Sequence, residues 1–124
     1  MVVRKVQLEN IRAQLIKNLN LYLADIVCSK LKGEGASVYR SRSSDTKVSL
    51  KTRYMDANSK KVNIFVSIHH NSSRFALTKG SMVLYAGKHD KKKSKLLAKK
   101  VNTHIKNAGL FYDRGIKKGV IWLF

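Results

Sequence analysis

Residues 64–71 read Ile-Phe-Val-Ser-Ile-His-His-Asn, an apolar run that leads directly into two histidines and an asparagine. The apolar part carries no charged side chain, so we expect a strand over 63–69 that is covered on both faces, as in a sheet between helices. Polar side chains at the carboxyl end of such a strand lie where open α/β sheets bind ligands and metals. A neutral imidazole is a good zinc ligand, which makes His69 a candidate site residue. The alternative is a strand followed by a polar turn, with His69 hydrogen-bonded and His70 in solvent.

Helical and strand patterns alternate along the rest of the chain. Apolar residues repeat at helical spacing from Leu19 to Leu31, and Gly33 and Gly35 are expected to end that helix. Further helices are predicted over 49–60 and 91–107, strands over 36–41, 81–85 and 120–124, and a loop over 72–79. The alternation predicts an α/β fold in which a layered sheet, mostly parallel or mixed, is flanked by helices.

The helix predicted over 91–107 has an apolar face and many lysines. Its apolar face is expected to consist of Leu97, Val101, His104, Ile105 and Ala108. On that face His104 is expected at the edge of the core rather than at a metal, and Gly109 is expected to stop the helix. The run from Lys88 to Lys100 is the densest basic stretch, and it is either a solvated helix face or a surface that adsorbs to anionic polymers.

Composition limits the classes of function. The chain has 124 residues, with 26 lysines and arginines against 7 acidic residues and a formal net charge of +19. Such a chain attracts polyanions in a salt-dependent way. No helix-turn-helix or zinc-finger pattern is visible, so no specific nucleic-acid partner is expected. The length predicts one domain, and neither a transmembrane run nor a signal peptide is recognised. The single Cys28 is expected to be a small buried hydrophobe.

A series of short motifs gives the chain a family resemblance. They are Asn20-Leu21, residues 35–42, Ser44-Asp45-Thr46, Leu50 with Arg53, Ala57-Asn58, residues 67–71, Lys79-Gly80-Ser81, Ser94 with Leu97-Ala98, and Arg114-Gly115-Ile116-Lys117. In this order and spacing the chain resembles the zinc-dependent N-acetylmuramoyl-L-alanine amidases. These hydrolases cut the bond between the lactyl group of muramic acid and the first alanine of the stem peptide. The resemblance covers residues 16–124 as an amidase-like domain and leaves 1–15 as an N-terminal segment without a family match.

The resemblance implies a zinc site of which this chain matches one ligand, His69. The family's second ligand is a glutamate four residues before the asparagine matched by Asn20, and Ile16 holds that position. The first ligand lies in a His-Gly-Gly motif, and residues 1–15 contain neither histidine nor glycine. The family's catalytic glutamate lies beyond the motif at 114–117 and has no match. We therefore expect a partial domain, truncated at both ends relative to the family, with zinc weakly bound or absent and no identified catalytic residue.

Two matched residues are candidates for binding substrate. Asn71 follows the histidines and is expected to orient the site or contact substrate, although an asparagine there could also close a turn. Arg114 is available to an acidic group of the substrate.

Three further matched residues are expected to be structural. The resemblance implies that Arg53 lies behind the sheet, whereas the residues alone also allow an ion pair with Asp45 or Asp56. Asn58 is placed to cap the end of the second helix. Gly115 is expected to have a backbone role in a turn over 114–115.

Three functions remain open on these grounds. The first is a peptidoglycan hydrolase of the amidase family in a truncated form whose activity is uncertain. The second is a non-catalytic remnant of that fold which binds the cell wall, and the third is a basic nucleic-acid-binding protein. The expected partners are peptidoglycan and anionic wall polymers. The expected place of action is the bacterial cell wall, either extracellular or periplasmic, and a phage-type endolysin would be made in the cytoplasm.

Overall fold

A computed structural model describes residues 2–70, 79–88, 90–109 and 112–119, with side chains described from Ala13 onward. Its elements are helices α1 (Val2–Gly33), α2 (Leu50–Ser59) and α3 (Lys91–Asn107) and strands β1 (Ser81–Ala86) and β2 (Asp113–Gly119). The α/β prediction is therefore confirmed, as are the helices over 49–60 and 91–107 and the strand over 81–85. The chain divides into two compact units, Met1–Ser72 and Ser73–Phe124. The predicted strand over 120–124 lies outside the described residues.

In the first unit, α1 is longer than the apolar repeat from Leu19 to Leu31 predicts. It ends where the glycines indicate, because Gly35 takes a φ of +87° and the Ala36 N–H returns to the Leu31 carbonyl at 2.9 Å. Cys28 on this helix is half-buried rather than fully buried. Among the described residues, no helix combines the length and the apolar composition that crossing a membrane requires.

Local hydrogen bonds define both ends of α2. The hydroxyl of Ser49 accepts a hydrogen bond from the Thr52 N–H at 3.1 Å, which satisfies one of the free donors of the first turn. Lys60 is the C-terminal cap, and Lys61 follows in the left-handed conformation with a φ of 48°. The helix therefore begins and ends at signals that lie within its own sequence.

The strands predicted over 36–41 and 63–69 are not formed in the described structure. Ile64 and Val66 are 61% and 62% exposed, so the expectation of a strand covered on both faces is wrong. No described segment forms a ladder with either stretch, and without a ladder an extended segment has neither paired backbone groups nor covered faces. Residues 36–41 are held by side chains instead, since the Tyr39 hydroxyl donates to Asp56 at 3.2 Å.

The second unit is a β-α-β arrangement in which β1 and β2 pair in parallel. Ser81 pairs with Asp113 and Val83 with Ile116, so β2 contains one extra residue in a bulge. Gly115 lies in that bulge with a φ of +74°. The prediction of a turn over 114–115 is wrong, because the residues that resemble a turn belong to a bulged strand.

α3 packs on both strands through a narrow face of small side chains. Ala98 is buried at 4% exposure, and Ser94, Asn102 and Ile105 on the same face are half-buried. Leu97, Val101, His104 and Ala108 are exposed, so the predicted apolar face is displaced and His104 does not lie at a core edge. Small side chains at 94 and 98 explain the difference, because they let the helix axis come closest to the sheet along their own row.

Candidate functional site

His69 lies on the irregular segment that follows α2, and its side chain is exposed. Its Nε2 is 2.7 Å from the hydroxyl oxygen of Ser67. Side chains two residues apart in an extended segment lie on the same side, so this contact is local. Either atom can be the donor, because a hydroxyl and a neutral imidazole nitrogen both donate and accept.

Asn20 connects the middle of α1 to the residue after His69. Its Oδ1 accepts a hydrogen bond from the backbone N–H of His70 at 2.8 Å. The same oxygen lies 2.7 Å from Nδ1 of the His70 ring. Both groups are partly buried, so the contact holds residues 67–70 against the helix.

Ile16 lies one helical turn before Asn20, about 6 Å along the axis. Its side chain is half-buried. The position at which the family resemblance expects a metal-binding glutamate is therefore next to the histidine segment in the fold. An isoleucine there has no lone pair to give to a metal.

The described side chains do not fit a catalytic zinc site. Such a site normally takes three protein ligands and keeps one position open for water. Among the described residues, no group of three or more His, Cys, Asp or Glu side chains lies close enough to hold a metal ion. His69, which the family resemblance predicts to be a ligand, has its Nε2 in contact with Ser67.

A cluster of polar side chains fixes residues 42–45 to α1. Asp45 accepts from Gln14 at 2.9 Å and pairs with Lys17 at 3.1 Å. The hydrogen bonds from Gln14 and Lys17 hold the pKa of Asp45 below its ordinary value of 3.8. Arg42 donates to the Lys17 carbonyl at 3.0 Å, and this contact ties the same segment to the helix backbone. These contacts join residues 42–45 to α1, so the cluster is structural.

The matched residues of α2 also have local contacts. Arg53 donates from Nε to the Val48 carbonyl at 3.1 Å, which ties it to the segment before the helix. The ion pair that sequence alone allowed is not formed in the described part of the chain, where Asp45 pairs with Lys17 and Asp56 accepts from Tyr39. Asn58 lies in the last turn, and its carbonyl accepts the Lys61 N–H at 3.0 Å. Asn71 lies outside the described residues.

In the second unit, Asp113 organises the bulge that contains Arg114 and Gly115. Its Oδ1 accepts from the Gly115 N–H at 2.7 Å and from Asn102 of α3 at 3.1 Å. The Gly115 bond, followed by the Asn102 bond, lowers the pKa of Asp113. Arg114 is exposed. Asp113 is a residue that sequence reasoning missed, and the sequence Asp-Arg-Gly at the start of β2 was its only signal.

Three of the lysines of α3 form a stripe along one side of the helix. Lys91, Lys95 and Lys99 recur every four residues, about 6 Å apart along the axis. All three are exposed. The helix contains no acidic residue, and the only carboxylate at its start is Asp90, which lies 3.6 Å from Lys93.

Comparisons with known proteins assign this chain to a family. The model of the N-acetylmuramoyl-L-alanine amidase family matches residues 12–124. The chain is 34% identical over 110 residues to the N-acetylmuramoyl-L-alanine amidase LytC of Bacillus subtilis (strain 168). These aligned residues make up 88% of this chain and 22% of LytC. It is 32% identical over 102 residues to the uncharacterized protein YqiI of the same organism, or 82% of this chain and 49% of that protein.

This chain therefore spans about half the length of YqiI, at 49%, and about a fifth of LytC, at 22%. No solved structure matches it. The family match extends over both compact units and includes the motif positions on α1, α2, β1, α3 and β2. This chain belongs to the N-acetylmuramoyl-L-alanine amidase family of peptidoglycan hydrolases.

Proposed function

We propose that these 124 residues are a part of a peptidoglycan amidase domain that binds the cell wall and does not hydrolyse the amide bond by itself. The observation that carries the proposal is the family match over residues 12–124 together with an isoleucine at position 16. The match supports the substrate class, which is the glycan and stem peptide of the wall. The isoleucine argues against a complete metal site within the chain as given.

Hydrolysis by a zinc amidase needs an activated water, a polarised carbonyl and a group that moves a proton to the leaving amine. In this chain His69 is proposed as a family metal ligand, and no residue of 1–124 matches the first ligand or the catalytic glutamate. A single imidazole does not hold zinc against solvent in the way that three ligands do. The 124 residues are therefore expected to recognise substrate without turning it over.

Recognition of the wall is proposed to combine direct contacts to substrate with the electrostatic attraction of the lysine stripe. Asn71 and the exposed Arg114 are the proposed substrate-binding residues, with Arg114 directed to a carboxylate of the wall. Arg53, Asn58 and Gly115 are proposed to be structural, since each makes a local hydrogen bond through its side chain or its backbone.

The lysine stripe of α3 is proposed to add long-range attraction. The net charge of +19 raises the local concentration of any polyanion near the chain, and anionic wall polymers are such partners. Duplex DNA is the competing ligand of the same charge. If the stripe binds the wall, the affinity for walls should depend on these particular lysines rather than on total charge alone.

Sedimentation with purified cell walls tests the proposal. We expect the chain to pellet with walls at low salt and to release as salt rises, because the Debye length falls from about 10 Å at 0.1 M to about 3 Å at 1 M. The variant K91Q/K95Q/K99Q should bind less than K32Q/K47Q/K51Q, which removes equal charge elsewhere. Equal binding of both variants would contradict the assignment to α3, and tighter binding to duplex DNA than to walls would favour a nucleic-acid function.

A further inference from the structure

The contact between Asn20 and His70 identifies the tautomer of the histidine. A backbone N–H can only donate, so the Asn20 atom 2.8 Å from the His70 nitrogen is the amide oxygen. His70 Nδ1 lies 2.7 Å from that same oxygen. A carbonyl oxygen only accepts, and therefore Nδ1 carries a hydrogen. In the neutral ring this leaves the lone pair on Nε2.

One oxygen of Asn20 thus fixes both the backbone and the ring of His70. Asn20 lies within the 32-residue helix α1, so its own position is set by the helix. The two residues are 50 positions apart in sequence, and the ring can turn away only by breaking the bond to Nδ1. A ring held at one nitrogen by a rigid element presents its other nitrogen in a constant direction.

The neighbouring histidine is held differently. His69 uses Nε2 for Ser67, at 2.7 Å, and this contact does not define its tautomer. Within the described part of the chain, Nε2 of His70 has no hydrogen-bond partner, and the residue is half-buried rather than enclosed. Of the two adjacent rings, His70 is therefore the one that offers a pre-oriented neutral acceptor.

We propose that Asn20 is a positioning residue that holds His70 with its Nε2 directed at a hydrogen-bond donor of bound peptidoglycan, a peptide N–H or a sugar hydroxyl. This rests on the proposed function. A neutral acceptor complements a neutral donor, so this contact differs in kind from the lysine stripe, which attracts anions. The hydrogen bond to Nε2 should therefore add affinity that salt does not screen.

The tautomer is tested first, by nitrogen NMR of histidine side chains in mildly alkaline solution, which distinguishes a protonated ring nitrogen from an unprotonated one. The wild-type spectrum should give His70 a protonated Nδ1 and an unprotonated Nε2. N20D keeps an oxygen acceptor and should preserve this state, whereas N20A should release the ring. A wild-type His70 that is protonated on Nε2 overturns the proposal.

The role of Nε2 is tested by binding of a soluble disaccharide-pentapeptide at high salt. The asparagine of H70N has an amide N–H that can replace the Nδ1 donor, but it has nothing at the position of Nε2. We expect H70N to keep the stability of the wild type and to bind about fivefold more weakly, the loss of one neutral hydrogen bond.

The two proposals fail in distinguishable ways. Equal binding by H70N and wild type overturns the assignment to Nε2 and leaves the wall-binding proposal intact. No binding by the wild type, with the expected tautomer present, overturns the proposed function and the ligand assignment together. K32Q/K47Q/K51Q, which lies outside both proposed contacts, is the control, since at high salt it should bind the fragment as the wild type does.

Discussion

At the scale of single residues, glycine is required at two positions of the second unit for different reasons. Gly80 takes a φ of +108°, and a Cβ built there would lie 2.3 Å from the Tyr112 carbonyl oxygen. That closeness lets the Ser81 N–H reach the same carbonyl at 2.9 Å, at the start of β1. Gly115 takes a φ of +74°, and a Cβ there would meet open space. Gly80 is needed for both space and conformation, and Gly115 for conformation alone.

Alanine substitutions separate these two requirements. We expect G115A to lower the free energy of unfolding by about 1 kcal/mol, the cost of a left-handed alanine. G80A adds a steric conflict with backbone and should cost at least about 2 kcal/mol. Urea denaturation of both variants measures the difference. If G80A is no worse than G115A, the close approach of Tyr112 to Gly80 is not as described.

Asp113 is expected to make the stability of the second unit depend on pH. Hydrogen bonds from Gly115 and Asn102 hold its pKa below the ordinary 3.8. Because the folded pKa is below the unfolded one, Asp113 adds stability above the unfolded value and loses that contribution as pH falls through the folded pKa. We expect D113N to be less stable than the wild type at neutral pH and the gap to narrow below about pH 4. A gap that is constant with pH would show that the charge of Asp113 is irrelevant.

At the scale of elements, α2 depends on its N-terminal cap. Ser49 accepts from the Thr52 N–H at 3.1 Å, and the helix has no acidic residue in its first turn to replace that contact. We expect S49A to cost about 1 kcal/mol and S49D to cost little, because aspartate caps as well as serine. Thermal unfolding of the two variants checks this, and equal destabilisation by both would mean that the loss does not come from the capping hydrogen bond.

The helices and one strand could be predicted because their signals are local. Ser49 precedes α2, Gly35 follows α1, and α3 has the predicted bounds of 91–107. β1 is a short apolar run after a glycine. These features depend on a few neighbouring residues, which a sequence displays directly.

The remaining features of the fold and of the candidate site depend on contacts between residues that are distant in sequence. Residues 36–41 and 63–69 have strand-like composition, but a strand requires a partner that composition does not reveal. β2 resembles a turn because its bulge needs Gly115, and the bulge exists only against β1. At the candidate site, His69 and Ile16 could be identified from the family resemblance. The contact of Asn20 with His70 could not be, since the two residues lie 50 positions apart.

At the scale of the whole molecule, membership of the amidase family does not by itself predict that this chain binds a metal ion. The chain matches the amidase family over residues 12–124, while its described residues contain no cluster of three potential metal ligands. Family membership thus predicts the substrate class, and the side chains that are present predict a weak metal site or none. The family resemblance predicts a metal-binding glutamate at position 16, and this chain has Ile16 there.

Zinc titration by calorimetry, in a buffer that does not chelate, tests the metal prediction. We expect weak binding or none, and H69A should remove whatever is present. I16E should raise zinc affinity without restoring a three-ligand site. Stoichiometric submicromolar binding by the unmodified chain would contradict this and point to ligands outside the residues considered.

The most direct measurement is the release of new L-alanine amino termini from purified walls, with zinc present. We expect the 124-residue chain to release no more than H69A, and I16E alone to change nothing, because a second ligand without a third and without a proton-transfer group does not complete the reaction. Zinc-dependent release by the unmodified chain, lost in H69A, would contradict the proposal that this part of the amidase domain binds the wall without cleaving it.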